Sequence, residues 1–277
     1  MGNMATNDRW ISLAEAAGLI ADGVTLALGG MTIYRRPVAF VYELLRREQR
    51  PKDLTLLCFT AGYESDLLVG AGCVDTVRSC YFGLESFGFA PMFTDAAQKG
   101  TIRILEETEA SLSMGMRAQM AGVGFMPSTA WIGTDLPKLR PDVKTVTDPY
   151  SGEELMAFPA IHCDVAVLHG LEGDQQGNVK LNNNLGVDME LVYLADTVIV
   201  TVERVVENVE KSPDGVIVPS PGATYLVHAP RGAWPTSCYP DYPVAGGEFM
   251  SYVEACNGGR FEEYVAEKLA SAPGAVT

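Results

Sequence analysis

Two short stretches carry residue types suited to binding an anion or to acid–base chemistry. The first reads Asp22-Gly23-Val24-Thr25-Leu26-Ala27-Leu28-Gly29-Gly30-Met31-Thr32-Ile33-Tyr34-Arg35-Arg36-Pro37. An apolar run ends in two glycines, a loop carries two arginines, and a proline opens a helix. Backbone amides bared by glycine near a helix start form a nest for an anion. Gly29 and Gly30 are such glycines, and Arg35 and Arg36 follow them in the loop. The same residues also fit a plain turn that needs glycine's backbone freedom, with both arginines in solvent. The stretch is neither a Walker loop nor the dinucleotide pattern Gly-x-Gly-x-x-Gly, so ATPase and dehydrogenase readings have no support.

The second stretch is Glu106-Glu107-Thr108-Glu109, at a strand-to-helix junction. The helix macrodipole alone favours acids in a first turn. A carboxylate of this cluster, at the carboxyl edge of a sheet, is also placed to act as a general base. Other features weigh less. Asn182-Asn183-Asn184 before Gly186 reads as a turn, although one amide is available to an acyl carboxylate. His162-Cys163 reads as packing, because no third group orients a nucleophile and base there. The three tryptophans are scattered and give no stacking stripe.

These residues need a scaffold, and the pattern supplies an alternating one. Ser12-x-x-Glu15 is a capping box that opens a helix through about Ala21. Val24–Leu28, Leu54–Thr60, Val77–Phe82 and Thr101–Leu105 read as buried strands. Helices are expected after Pro37, over Glu64–Ala71, from Pro91 to near Gly100, and over Thr108–Met120. This order implies an α/β fold with a parallel sheet and right-handed crossovers. Pro127–Pro159 is rich in Pro, Thr and Asp and reads as a long excursion or a partner-contacting arm. The α/β pattern resumes with strands at Val165–His169, Val179–Leu181 and Thr197–Val202, a helix at Met189–Ala195, and a helical tail over Gly247–Ala270. The whole chain, 1–277, reads as one domain with a loop-rich C-terminal third.

Composition excludes several classes. The chain has 277 residues with 20 Lys+Arg against 35 Asp+Glu, a formal charge of −15, which argues against a general nucleic-acid or anionic-membrane binder. The start, Met1 to Trp10, is polar and has no signal-peptide character. No apolar stretch of about 18 residues exists to span a membrane. The six cysteines form no Cys-x-x-Cys pair and the three histidines show no ligand spacing with them, so a cytoplasmic protein with free thiols and no metal is expected.

The first stretch resembles the signature of the alpha, or first, subunit of family I CoA-transferases: Asp-Gly-x-x, three apolar residues, then Gly-Gly-Phe-x-x-x-Gly-x-Pro. Met31 stands at the Phe position and Arg35 at the later Gly position. Arginine there is similar to the glutaconate CoA-transferase branch. Gly83-Leu84-Glu85-Ser86-Phe87-Gly88-Phe89-Ala90-Pro91, Phe125-Met126-Pro127, His169 to Asn178 and Val200 to Glu203 are also similar to that branch. The resemblance spans about residues 10–240. It implies an open, mostly parallel sheet flanked by helices, of the CoA-transferase (NagB/RpiA-like) type. It also implies an acyl-CoA thioester as substrate, no tightly bound cofactor, and a heterodimer or heterotetramer with a beta subunit. In such enzymes the nucleophilic glutamate lies on the beta subunit within Ser-Glu-Asn-Gly, and that tetrapeptide does not occur here. This chain then lends one wall of the acyl pocket, with Glu85 and Ser86 among its substrate-binding residues, Gly29, Gly30 and the Met31 amide as oxyanion donors, and Arg35 meeting an acidic acyl group or CoA phosphates.

Glu109 together with Gly115 is instead similar to the actinobacterial steroid-ring-cleaving, IpdA-like hydrolase branch. There the equivalent of Glu109 is thought to activate water against a cyclic β-keto acyl-CoA. Transferase and hydrolase chemistry are therefore both expected of this resemblance. A ligand-sensing module on the same sheet is the non-enzymatic alternative.

Overall fold

The computed structural model describes residues 9–271; the rest of the polar start, residues 1–8, lies outside them. The strands are β1 (Thr25–Leu28), β2 (Leu54–Ala61), β3 (Val74–Phe82), β4 (Arg103–Glu106), β5 (Phe125–Ser128), β6 (Lys144–Thr147), β7 (Glu154–Pro159), β8 (Cys163–Asp174), β9 (Val179–Asn182), β10 (Ala195–Val206), β11 (Gly215–Val218) and β12 (Tyr225–His228). The helices are α1 (Leu13–Gly18), α2 (Val38–Arg46), α3 (Tyr63–Gly70), α4 (Pro91–Lys99), α5 (Glu109–Met120), α6 (Leu136–Leu139), α7 (Asp188–Leu194), α8 (Gly246–Asn257) and α9 (Phe261–Ser271).

The main sheet is parallel in the order β12-β10-β8-β1-β2-β3-β4. A hairpin-like extension, β9 and β11, adds antiparallel to the far end of β8. Side chains alternate across the sheet. Leu26, Leu28, Leu56, Cys58, Val165 and Val167 face one core, with α1, α2, α3, α8 and α9. Ala27, Leu57, Ala166 and Leu168 face the other, with α5 and α7. Both faces are covered, which is why these strands read as unbroken apolar runs. From β1 the chain steps one way to β2, β3 and β4, and later returns on the other side to β8. The carboxyl end of β1 is therefore a switch point, where open α/β sheets bind ligands.

The expected α/β architecture is present, with local differences. The Ser12–Glu15 capping box forms in full, but its helix stops at Gly18. β8 and β10 run 12 residues each, well past the expected ends. Residues 127–159 lie off the main sheet and are folded. They hold most of a separate antiparallel sheet, β5-β7-β6, closed by a small core of Trp131, Val143, Met156 and Phe158. The expected single helical tail is two helices, broken at Gly258-Gly259, where Gly259 takes a positive φ of 71°. Helix α3 buries Glu64, Ser65 and Asp66 along with its apolar residues. Asp66 accepts from Tyr252 Oη at 2.6 Å and from the Met92 and Phe93 amides at the head of α4, and burial pushes its carboxyl up to about 6.

Candidate active site at the carboxyl edge of the sheet

The parallel strands bring every candidate residue to one edge. Gly29, Gly30, Met31 and Arg35 follow β1, Glu85 and Ser86 follow β3, and Glu109 follows β4. The diglycine is required by close approach. A Cβ on Gly29 would stand 2.2 Å from Leu168 Cδ2, and Gly30 has φ +80° with Arg35 O only 2.4 Å from its ideal Cβ position.

The amides of this loop are not free donors, and here the structure corrects the sequence reading. Gly29 N donates to Val167 O at 2.9 Å, Gly30 N to Asp188 Oδ1 at 2.9 Å, and Met31 N to Tyr34 O at 2.9 Å. Only the Gly30 amide meets an anion, and that anion is the chain's own Asp188. The arginines are not solvated either. Arg35 is fully buried, with Nη2 2.9 Å from Asp188 Oδ1, Nε donating to Asn182 Oδ1 at 3.0 Å, and Nη1 to His169 O at 2.5 Å. Burial pushes the Asp188 carboxyl up, but Arg35 and the Gly30 and Gly186 amides outweigh it and hold the group below the ordinary carboxylate range. Arg36 turns the other way, onto Glu64 Oε1 at 2.6 Å and Gly30 O at 3.1 Å. The two arginines thus pin the switch-point loop from both faces. Asn182, read as a turn residue, is spent here too: its Nδ2 donates to Tyr239 O at 2.9 Å.

A second buried network lies on β8 and β10. His169 Nδ1 is 2.7 Å from Thr201 Oγ1, and Nε2 is 2.8 Å from Glu203 Oε1. Glu203 also accepts from the Tyr242 hydroxyl and, at 2.6 Å, from the Arg231 amide. Burial pushes the His169 pKa below its ordinary 6.5, so the ring is neutral, donating to Glu203 and accepting from Thr201. Cys238 comes close enough that His169, Glu203 and Cys238 offer three ligand-type atoms within 4.8 Å of one another; His162, Asp164 and Asp196 form a second such group on the surface. Sequence spacing gave no sign of either, because fold contacts far apart in the chain build both. Cys163 is buried with its sulfur 3.8 Å from Thr25 O, while His162 is exposed beside Asp164, so only the cysteine packs.

This network carries a pH signature. Below about pH 6.5 the unfolded chain takes up a proton that the folded His169 ring refuses, so stability falls as pH drops through that range. Asp66 acts in the opposite sense, gaining stability as pH falls from about 6 toward 3.8. Comparing slopes isolates the histidine. His169→Asn is expected to flatten the acid-side loss by up to about 1.4 kcal/mol per pH unit. Urea unfolding at several pH values between 7.5 and 5 reads this directly, and identical slopes would contradict the assignment.

Glu109 opens α5 and is exposed. Its neighbour Glu107 is buried, paired with Arg78 and Arg140 at 2.8 Å each. The charge of Glu109 reaches Cys80 on β3: burial, then Glu109, push that thiol up to about 11. Glu85 and Ser86 are exposed on a 3-10 turn, with Glu85 at φ +54°. Beside the Met31–Tyr34 loop, a cleft of about 470 Å³ opens between Tyr34, Asn184, Ser237, Tyr239 and Tyr242. The edge therefore offers exposed carboxylates at Glu85, Glu106 and Glu109, while Glu107, Asp188, Arg35 and Arg36 beneath them are buried and paired.

The family model described as coenzyme A transferase matches residues 11–229. The chain belongs to the coenzyme A transferase family. It is 34% identical over 236 residues to the A-type subunit of 3-oxoadipate CoA-transferase from Pseudomonas knackmussii, covering 84% of this chain and 83% of that one. It is 34% identical over 221 residues to the IpdA subunit of the cholesterol ring-cleaving hydrolase from Rhodococcus jostii, covering 75% and 72%. The crystal structure of glutaconate CoA-transferase from Acidaminococcus fermentans superposes with a TM-score of 0.87 at 25% identity, over 97% of this chain and 90% of that one. Among the described residues no helix is long and apolar enough to cross a membrane. The Asp188 and Glu64 carboxylates were not singled out from sequence, because nothing local shows that their arginine partners are buried, and Glu203 pairs instead with His169.

Proposed function

We propose that this chain is the alpha subunit of a heteromeric CoA-transferase that moves CoA between carboxylic acids. The beta subunit, its partner, supplies the nucleophilic glutamate: its carboxylate attacks the donor thioester carbonyl and expels CoA thiolate, which then attacks the glutamyl carbonyl of the resulting anhydride, leaving CoA as a thioester on the glutamate and releasing the donor acyl group as its carboxylate. This chain supplies one wall of the acyl pocket, with Glu109 as its catalytic carboxylate and the Glu85–Ser86 turn facing the substrate. CoA enters as substrate and leaves as product, and no further cofactor takes part.

The observation that carries the reading is the exposed Glu109 at the head of α5, on the same edge as the switch point, while Arg35, Arg36, Glu64, Glu107 and Asp188 are all buried and paired. Relatives named as the A-type subunits of 3-oxoadipate and glutaconate CoA-transferases support a beta-subunit partner, in a heterodimer or heterotetramer. Six free cysteines support a reducing, cytoplasmic setting.

The pairing of Glu109 with Gly115 does not decide for hydrolysis. A Cβ on Gly115 would stand 2.5 Å from Ile161 Cγ1 and 2.8 Å from Pro159 O, so packing of α5 against the end of β7 already demands glycine. The test is co-purification with the partner chain and a panel of succinyl-CoA, glutaryl-CoA and acetyl-CoA against 3-oxoadipate, glutaconate and acetate. Exchange of CoA by the two-chain complex, and none by this chain alone, is expected. Release of free CoA without transfer to any acceptor would turn the assignment to hydrolysis.

A further inference from the structure

The small antiparallel sheet reaches back to the residues that precede Glu109. Trp131, beyond β5, donates its indole N–H to Thr108 Oγ1 at 2.9 Å, and Thr108 is the N-cap of α5. Arg140, just past α6, is buried and donates from Nη1 to Glu106 O at 2.9 Å and to Glu107 Oε1 at 2.8 Å. Asp142 grips its other edge at 2.8 and 2.7 Å. From the main sheet, Arg78 Nε donates to the same Glu107 oxygen at 2.8 Å, and the Ser111 hydroxyl donates to Glu107 Oε2.

This exceeds what a helix start needs. A threonine cap with a partner at the third helical position suffices, and Thr108 with Ser111 already provides it. A buried carboxylate shared by two arginines is costly to desolvate and is a poor way to gain stability. What it gives is direction, because planar guanidinium forks fix the atoms they hold. Among the described residues no side chain hydrogen-bonds the Glu109 carboxylate, so its aim is set by the backbone on which it stands.

We propose that Trp131, Arg140 and Glu107 are positioning residues for Glu109, a clamp by which the small antiparallel sheet fixes the head of α5 toward the acyl group. The inference rests on the reading of Glu109 as this chain's catalytic carboxylate. A reacting group displaced by about 1 Å loses up to about 100-fold in rate.

The experiment uses the complex with the partner chain and the donor–acceptor pair of the panel with the highest turnover, rates being normalised to assembled complex. Trp131→Phe keeps the ring against Phe158, 5.0 Å away, and removes one N–H donor. Arg140→Lys keeps the charge and removes the fork. His162→Ala, at the opposite end of the sheet, is the control. Each clamp variant is expected to lower kcat about 10-fold with KM within about twofold, and the control to leave both unchanged. Wild-type kcat in both clamp variants, with Glu109→Gln inactive, overturns the clamp. Full turnover in Glu109→Gln instead removes the reading on which the clamp rests. Should Arg140→Lys fail to assemble, Trp131→Phe decides alone.

Discussion

Arg35→Ala is expected to destabilise the chain by about 3–5 kcal/mol, a large share of the roughly 5–15 kcal/mol that holds a typical domain together. The substitution leaves the Asp188 carboxylate buried without its cation, and it strips donors from Asn182 Oδ1 and from the His169 and Asn184 carbonyls. Both side chains of the pair are fully buried, so solvent cannot repair the loss. The second variant is Arg35→Ala with Asp188→Ala. Removing the stranded charge should recover part of the loss, giving a coupling of about 1–3 kcal/mol in a double-mutant cycle. Urea denaturation of the four proteins measures it. A loss under about 1 kcal/mol, or strict additivity, would mean that Arg35 does not hold the switch-point loop.

Glu109→Gln is expected to cut turnover of the two-chain complex by about 100- to 1,000-fold, within the range for a removed acid–base group. The fold should barely notice. Glu109 is exposed and makes no side-chain hydrogen bond among the described residues, so the structural loss is one carboxylate at a helix N-terminus, about 0.3–1 kcal/mol. A thermal melt close to wild type, beside a large fall in kcat, separates chemistry from stability. The Arg35 and Glu109 variants thus divide the edge into a part that is built and a part that acts.

The sequence disclosed the scaffold well for a physical reason. β1, β2 and β8 are covered on both faces, so their apolar runs stand out, and Gly29-Gly30 marks the end of the first. Pro91 and Gly100 mark the ends of α4, Gly100 in a left-handed cap. The role of the diglycine loop was harder to read. Glycines near a helix start expose amides, but sequence does not say whether a ligand or the chain's own Asp188 will take them. Arg35 and Arg36 carry charge, and charge suggests solvent; only the packing of α3, β9 and α7 around them shows that both are interior. β6 and β7 were hidden among Pro, Thr and Asp, although Met156 and Phe158 alternate as a half-buried strand requires. Three acids in four residues marked the junction, and Glu109 was singled out among them only by its resemblance, together with Gly115, to the IpdA-like branch. Which of them is buried was decided by Arg78 and Arg140, from distant parts of the chain.

The central claim is that this edge is half of a thioester cleft, completed by a glutamate on another chain. Intact-mass analysis of both chains after incubation with the active acyl-CoA donor, with and without hydroxylamine, tests it most directly. The expected result is a CoA thioester on the partner chain only, present in the wild-type complex, retained in Glu109→Gln, and lost on hydroxylamine treatment. Turnover with no adduct on either chain, or an adduct on this chain, would contradict it.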